Sequence, residues 1–304
     1  MSGYMGFVGV STEKSSIMKI FPTWADILGL PTRTLIGHDL AIDATPQQYV
    51  HLVQQIRDDP NHWGALVTTH KMGLFAATHD LFDELDEFST VGGELSSIAK
   101  RNGRLIGHAK DPLTAGLAAQ EFLPDDHFTR TGGHVVCLGA GGAGGALSCY
   151  LAGRADRPER IVVTDTDQGR LDHLRAVHLR RGTPAELIRF VLVESPETTR
   201  TVLADAPAHS LIVNASGLGK DRPGSPVPDE TRFPEAAYVW EFNYRGSLEF
   251  LAQARAQADS AELTVIDGWR YFIHGWSQVI AEVFTIELTD DLVSRLSEAA
   301  LAAR

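Results

Sequence analysis

Residues 134–147 read HVVCLGAGGAGGAL. The apolar run His134–Leu138 has the character of a buried strand, and ALSCYLAGR, from Ala146 on, that of a helix. Between them Gly139, Gly141 and Gly144 form a G-x-G-x-x-G turn. Glycines at these positions allow a tight turn and a close approach of backbone N–H groups to a pyrophosphate, which the helix N-terminus then stabilises. Gly139, Ala140, Gly141, Gly142, Ala143 and Gly144 are therefore the expected phosphate cradle. The pattern also calls for an acid about 20 residues further on, at the end of the next strand. Asp165 stands there, 21 positions after Gly144 and directly behind Ile161–Thr164. A carboxylate at that place accepts the ribose 2′-OH of NAD and repels the 2′-phosphate of NADP, so NAD is expected over NADP. Arg170 is close enough in sequence to hold a phosphate but lies along the following helix.

Strands and helices alternate on both sides of this turn. Upstream, strands are expected at 4–10, 34–36 and 63–68, with helices at 17–28, 46–57 and 72–81. A hairpin joins 97–100 to 104–108 through Asn102-Gly103, a strong two-residue turn. Asp111-Pro112 opens a helix over 113–122, and the polar stretch 124–133 separates it from the glycine-rich half. Downstream strands are expected at 160–164, 190–193, 210–214, 237–242 and 263–266, and an amphipathic helix over 288–304. The fold class is thus α/β: an N-terminal α/β substrate domain plus a Rossmann-type, doubly wound parallel-sheet dinucleotide-binding domain.

Composition narrows the partners. The chain has 304 residues, 27 Lys and Arg against 39 Asp and Glu, and a net charge of −12. Such acidity argues against nucleic acid or an anionic membrane as partner. No stretch has the length of a membrane span, and the start lacks the pattern of a secretion signal. With two cysteines, Cys137 and Cys149, there is no disulfide framework, and a cytoplasmic setting is expected. The 12 histidines form no ligand-spaced cluster, so no metal is expected. A small-molecule substrate and a monomer or homodimer remain.

Two ionisable residues stand at strand ends of the first domain, Lys71 closing LVTTHK and Asp111 closing GHAKD. A carboxylate that orients an ammonium makes a proton relay to an alcohol or ketone oxygen as hydride moves. Taken singly, a surface lysine and a helix cap are the plainer readings. The order of motifs, however, resembles the shikimate/quinate dehydrogenase family over nearly the whole chain: GVSTEKSS (9–16), ALVTTHK (65–71), GELSS (93–97), GHAKD (107–111), GAGGAG (139–144), NASGLG (214–219), FNYRGS (242–247) and DGWRYFIHGWSQ (267–278). The resemblance implies that Lys71 and Asp111 are the catalytic pair and that Asn214, Ser216 and Gly219 lie on the nicotinamide side. It also implies a substrate domain of residues 1–112 and 270–304, with residues 113–269 binding the dinucleotide.

The departures from the family pattern fall on its substrate contacts. Its loop serines correspond to Ser15 and Ile17, with Ser16 one step away. Its Asn and Thr before the lysine are Ala65 and Val67, and its two further asparagines are Ser96 and Ala109. Its tyrosine is Phe242, and its C-terminal glutamine corresponds to Gln278 or, without a gap, Gly275. Lys14, His70 and Tyr271 appear near the same places. Lys14 or Lys110 is a candidate partner for an anionic group, and Glu13 or Glu94 for an amino group. Losing several hydroxyl-reading groups at once weakens recognition of shikimate strongly. The expected activity is hydride transfer between NAD and a secondary alcohol of a small cyclic polyol or hydroxy acid other than shikimate. A true shikimate or quinate dehydrogenase with rebuilt contacts and a non-catalytic metabolite-binding regulator are the alternatives.

Overall fold

Short apolar runs alternating with amphipathic stretches build two α/β units in the computed structural model, which describes residues 3–220 and 222–303. One unit comprises the chain up to Asp111 together with Ile273 onward, and the other Pro112–Phe272.

The first unit contains β1 (Tyr4–Gly9), α1 (Ile17–Leu28), β2 (Leu35–Asp39), α2 (Pro46–Asp58), β3 (His62–Val67), α3 (Lys71–Thr78), β4 (Glu84–Leu85), α4 (Glu87–Gly92), β5 (Ser97–Arg101) and β6 (Arg104–His108). Its six-stranded sheet has the order β2-β1-β3-β5-β6-β4. β1, β2 and β3 run parallel, whereas β5 is antiparallel to both β3 and β6. The β5–β6 turn has Asn102 at φ 52° and Gly103 at φ 77°, the two positive values that a tight hairpin turn of this kind requires. α2 starts on a capping box between Thr45 and Gln48 with Pro46 in its first turn. Its Tyr49, Leu52, Val53 and Ile56 pack on Val8, Ala65, Val67 and Ile98 of the sheet. This apolar contact is what holds the ends of β1 and β3 in place.

The second unit contains α5 (Asp111–Gln120), α6 (His127–Thr131), β7 (Val135–Leu138), α7 (Gly142–Ala152), β8 (Ile161–Asp165), α8 (Gln168–Arg180), β9 (Ile188–Leu192), α9 (Pro196–Ala204), β10 (Leu211–Asn214), β11 (Tyr238–Glu241), α10 (Glu249–Gln257) and β12 (Thr264–Ile266). All its strand pairs are parallel, in the order β12-β11-β10-β7-β8-β9. The order reverses beside β7, so the glycine turn after that strand lies at the switch point where such sheets bind ligands. α11 (Trp269–Phe284) carries the chain back, and α12 (Asp290–Ala300) completes the first unit. There Trp24 is fully buried and donates its Nε1–H to the Leu296 carbonyl at 2.8 Å.

Three details differ from the sequence expectation. β4 and α4 occupy a stretch with too little periodicity to reveal them. Asp86 explains them: its carboxylate accepts the Ser89 N–H at the start of α4 and the Ala109 N–H beyond β6. The polar stretch 124–133 contains α6, held by Asp156, which accepts the Phe128 and Thr129 amides. The terminal helix is shorter than expected, and Arg304 lies outside the described residues.

Two buried histidines give the fold a pH signature. His62 faces His38, with Nε2 atoms 3.4 Å apart, and its Nδ1 accepts the Gly64 N–H. Burial, reinforced by His38, pushes the His62 imidazole down to about 3. Burial likewise holds His178 down at about 4 in the second unit. The folded protein therefore excludes protons that the unfolded chain takes up near the ordinary value of 6.5. Stability is full above 6.5 and is lost as pH falls toward these lower values, by at most about 1.4 kcal/mol per pH unit for each ring. Urea unfolding at pH 7 and pH 5 should show this loss, and His62→Gln should make it shallower. An unchanged slope in that variant would contradict the assignment.

Candidate active site

The glycine turn in the second unit has three glycines with three different reasons. Gly139 has φ 122°, and a Cβ there would lie 2.6 Å from the Ala215 carbonyl oxygen. A Cβ on Gly144 would lie 2.0 Å from the Gly139 oxygen. Both are therefore demanded by the fold itself. Gly141 caps α7 with ordinary extended angles (φ −72°, ψ −175°), and a Cβ on it would meet no atom within 4 Å. Neither backbone nor packing requires glycine there, so what it leaves open is room for a ligand. The first intrahelical bond runs from the Gly145 N–H to the Gly141 carbonyl. The amides of Gly142, Ala143 and Gly144 thus form the open helix end that suits a pyrophosphate.

Asp165 ends β8 beside this turn. One carboxylate oxygen accepts the Ala140 N–H at 2.8 Å and the other accepts the Asp167 N–H at 3.0 Å. Ala140 therefore gives its amide to Asp165 and not to a phosphate, a correction to the expected cradle. Each oxygen keeps acceptor capacity for a further donor such as a ribose hydroxyl. The Arg170 guanidinium, half exposed, lies 3.8 Å from both Asp165 and Asp167. Gly139, Asp165, Thr166, Arg170, Ser216 and Pro226 are among the residues lining a cavity of about 740 Å³, within the range of cofactor sites. A dinucleotide fits these residues.

The strand ends of β10 and β11 in the second unit hold a polar network that sequence reasoning missed. Asn214 is fully buried at the end of β10; its amide donates to Glu241 at 2.8 Å and to the Leu218 carbonyl at 3.2 Å. Its oxygen accepts from the Ser216 N–H and hydroxyl. Asn214 is thus a scaffold for the Ser216 loop, not a direct cofactor contact as expected. Glu241, fully buried at the end of β11, is pushed up to about 7 by burial, against hydrogen bonds from Asn243 and Asn214. Only its place at a strand end, next to Phe242, could have signalled it. Gly219 adopts φ 83° in the same loop, where its amide donates to the Arg222 carbonyl. Phe242 stacks on Tyr271, ring centroids 4.3 Å apart.

In the first unit Lys71 opens α3 and Asp111 opens α5, and the structure brings them together as an ion pair. Asp111 is 6% exposed. Burial works to lower the Lys71 pKa, but the charges of Asp111 and Glu94 and the hydrogen bond to Asp111 outweigh it and raise it. The ammonium is the resting form.

The remaining expected substrate contacts in this unit divide sharply. Val67 is fully buried in the core under α2. His70 is buried with both ring nitrogens engaged, Nδ1 with the Tyr49 hydroxyl (2.9 Å) and Nε2 with the Leu40 carbonyl (3.2 Å). Ser96 accepts the Lys110 N–H at 2.7 Å, so its hydroxyl fastens the strand end that carries Asp111. These three are structural. Ser15 is buried and Ser16 half-buried at the start of α1, next to exposed Lys14, and Gln278 is half-buried on α11. Lys110 pairs with Glu282, which also holds Arg101. Glu282 had no motif to mark it, because its partner is distant in sequence.

Among the described residues no group of His, Cys, Asp and Glu could hold a metal ion, and no helix is long and apolar enough to cross a membrane.

A Rossmann-type dinucleotide-binding unit joined to an α/β unit with a partly buried Lys–Asp pair defines the class. No family model matches the chain. It is 29% identical over 236 residues to the NADP(+) shikimate dehydrogenase of Streptococcus gordonii, covering 72% of this chain and 76% of that protein. It is 30% identical over 186 residues to the Streptococcus pneumoniae enzyme of the same name, covering 59% and 60%. The fold matches quinate dehydrogenase from Corynebacterium glutamicum in complex with NAD over 99% of both chains (TM-score 0.74, 22% identity). It also matches shikimate 5-dehydrogenase from Thermus thermophilus in complex with NADP(H) and shikimate, over 99% of this chain and 100% of that one (TM-score 0.73, 22% identity). The chain is thus similar in sequence to shikimate dehydrogenases and shares the fold of shikimate and quinate dehydrogenases.

The glycines separate fold from ligand binding. Gly141→Asp keeps a favoured helix cap while placing a charge where the pyrophosphate would lie. Its melting temperature should hold, while calorimetry should show dinucleotide affinity weakened by more than about tenfold. Gly144→Ala should instead lose about 1–3 kcal/mol of stability or more. Equal effects of the two variants on folding would sink the distinction.

Proposed function

We propose that the protein is an NAD-dependent dehydrogenase that interconverts a secondary alcohol and a ketone on a small cyclic polyol or hydroxy acid other than shikimate. The observation that carries the reading is the ion pair of half-buried Lys71 with buried Asp111. A bound nicotinamide supplies the hydride acceptor or donor. In the reducing direction the Lys71 ammonium donates its proton to the carbonyl oxygen as that oxygen gains charge. In the oxidising direction the hydroxyl proton passes to the Lys71–Asp111 couple, and Asp111 keeps the lysine oriented throughout. With the Lys71 pKa raised, oxidation accelerates as pH rises above neutrality and reduction does not.

Preference for NAD rests on Asp165 and Asp167, which flank the ribose end and already balance the charge of Arg170. A 2′-phosphate would meet two carboxylates there. Exclusion of shikimate rests on the substrate positions. Val67 is in the core, the Ser96 hydroxyl is spent on a backbone amide, and Phe242 has no hydroxyl. The names of the related sequences favour a second reading, a shikimate dehydrogenase that uses NADP. Steady-state assays with shikimate and each cofactor separate the two.

The pair itself is tested by breaking and then removing it. Lys71→Met should lower kcat by about 10²–10⁴ with NAD affinity unchanged. It should also destabilise the protein by about 1–3 kcal/mol, because Asp111 stays buried without the Lys71 charge. Lys71→Met combined with Asp111→Leu should recover most of that stability and none of the turnover. A single variant with full activity on the true substrate would refute the role.

A further inference from the structure

A second carboxyl group lies beside the Lys71–Asp111 pair, and the proton transfer described above does not use it. Glu94 sits on the link between α4 and β5, where the Leu95 N–H donates to the Lys71 carbonyl at 3.2 Å and fixes the link against the start of α3. The residue is 7% exposed. Among the described residues nothing donates a hydrogen bond to its carboxyl, and its interactions are the charges of Asp111, Lys71 and Asp86. Other cations at this end of the sheet are committed elsewhere: Lys110 and Arg101 both pair with Glu282.

A buried carboxylate without donors is costly, and here the charge balance is also incomplete. Lys71 is the one cation among the charges acting on Glu94, against Asp111 and Asp86. Burial pushes the Glu94 carboxyl up to about 7, Asp111 adds to the shift, and Lys71 opposes it. A neutral hydroxyl from a ligand would offer Glu94 one hydrogen bond and leave the surplus charge. A protonated amine offers three donors and removes the surplus, through charge-assisted bonds about twice as strong as neutral ones.

We infer that Glu94 binds a protonated amino group of the substrate, next to the carbon whose hydroxyl Lys71 and Asp111 serve. The substrate class is then a cyclic amino alcohol. For the neighbouring hydroxyl this rests on the dehydrogenase reading above, but the binding of the amine does not.

The test uses the full chain and a matched pair of probes, trans-2-aminocyclohexanol and trans-cyclohexane-1,2-diol. Calorimetry at pH 8 measures affinity for each, and cofactor reduction measures turnover. The wild type should bind the amine more tightly than the diol by about tenfold or more, and this ratio should collapse toward one in Glu94→Gln. The ratio is the readout, so a general fall in activity does not imitate the result. Should Glu94→Gln not fold, Glu94→Ala gives the same comparison. Turnover of either probe with a ratio that Glu94→Gln leaves unchanged overturns the inference and spares the dehydrogenase reading. A Glu94-dependent preference in binding without turnover under any cofactor upholds the inference and counts against that reading. Absence of both binding preference and turnover overturns both.

Discussion

The ion pair of Lys71 with Asp111 is the interaction on which the proposed chemistry depends. Two charges taken out of water are weak support for a fold, since apolar residues of similar size usually serve as well or better. Their retention therefore needs a reason beyond stability. The surrounding structure is arranged to hold them. Lys71 begins α3 where β3 ends, and Asp111 begins α5 just beyond β6, whose end is fastened by the Ser96 hydroxyl and by Asp86. Lys110, the neighbour of Asp111 in sequence, pairs with Glu282 of α11.

The second unit meets a comparable demand with backbone instead of charge. Gly139 and Gly144 permit β7, the loop after β10 and α7 to approach closer than any side chain would allow. Gly141 permits the approach of something that is not protein. Asp165 links the two, because it braces the turn through Ala140 while offering its remaining lone pairs toward the cavity. The acid expected to select the cofactor thus also shapes the turn, and its effects on folding and on specificity are coupled.

Much of this was legible in the sequence, for physical reasons that differ from place to place. The strand–glycine–helix pattern at 134–147 reports constraints that are local along the chain, and the parallel sheet around it follows from alternation. Lys71 and Asp111 were legible because each closes a motif. Val67, His70 and Asn214 were not, because family motif positions say where a residue stands in sequence and not which way its side chain turns. Val67 turns into the core, His70 to Tyr49 and Leu40, and Asn214 to Glu241. Glu241 and Glu282 were invisible for a related reason: each acts through partners brought close only by the fold. The departures that look like lost substrate contacts are partly structural substitutions, which is why Ser96 fastens a strand end where the family pattern has asparagine.

The central proposal is that this chain carries out the hydride and proton chemistry of the dehydrogenases it resembles on a different molecule. Cofactor reduction followed at 340 nm, with NAD and with NADP, across a panel of cyclic alcohols that includes shikimate and quinate, tests it most directly. The account predicts the highest kcat/KM with NAD and an alcohol other than shikimate. Shikimate with NADP as the best pair, or no reduction of either cofactor by any member of the panel, would contradict it.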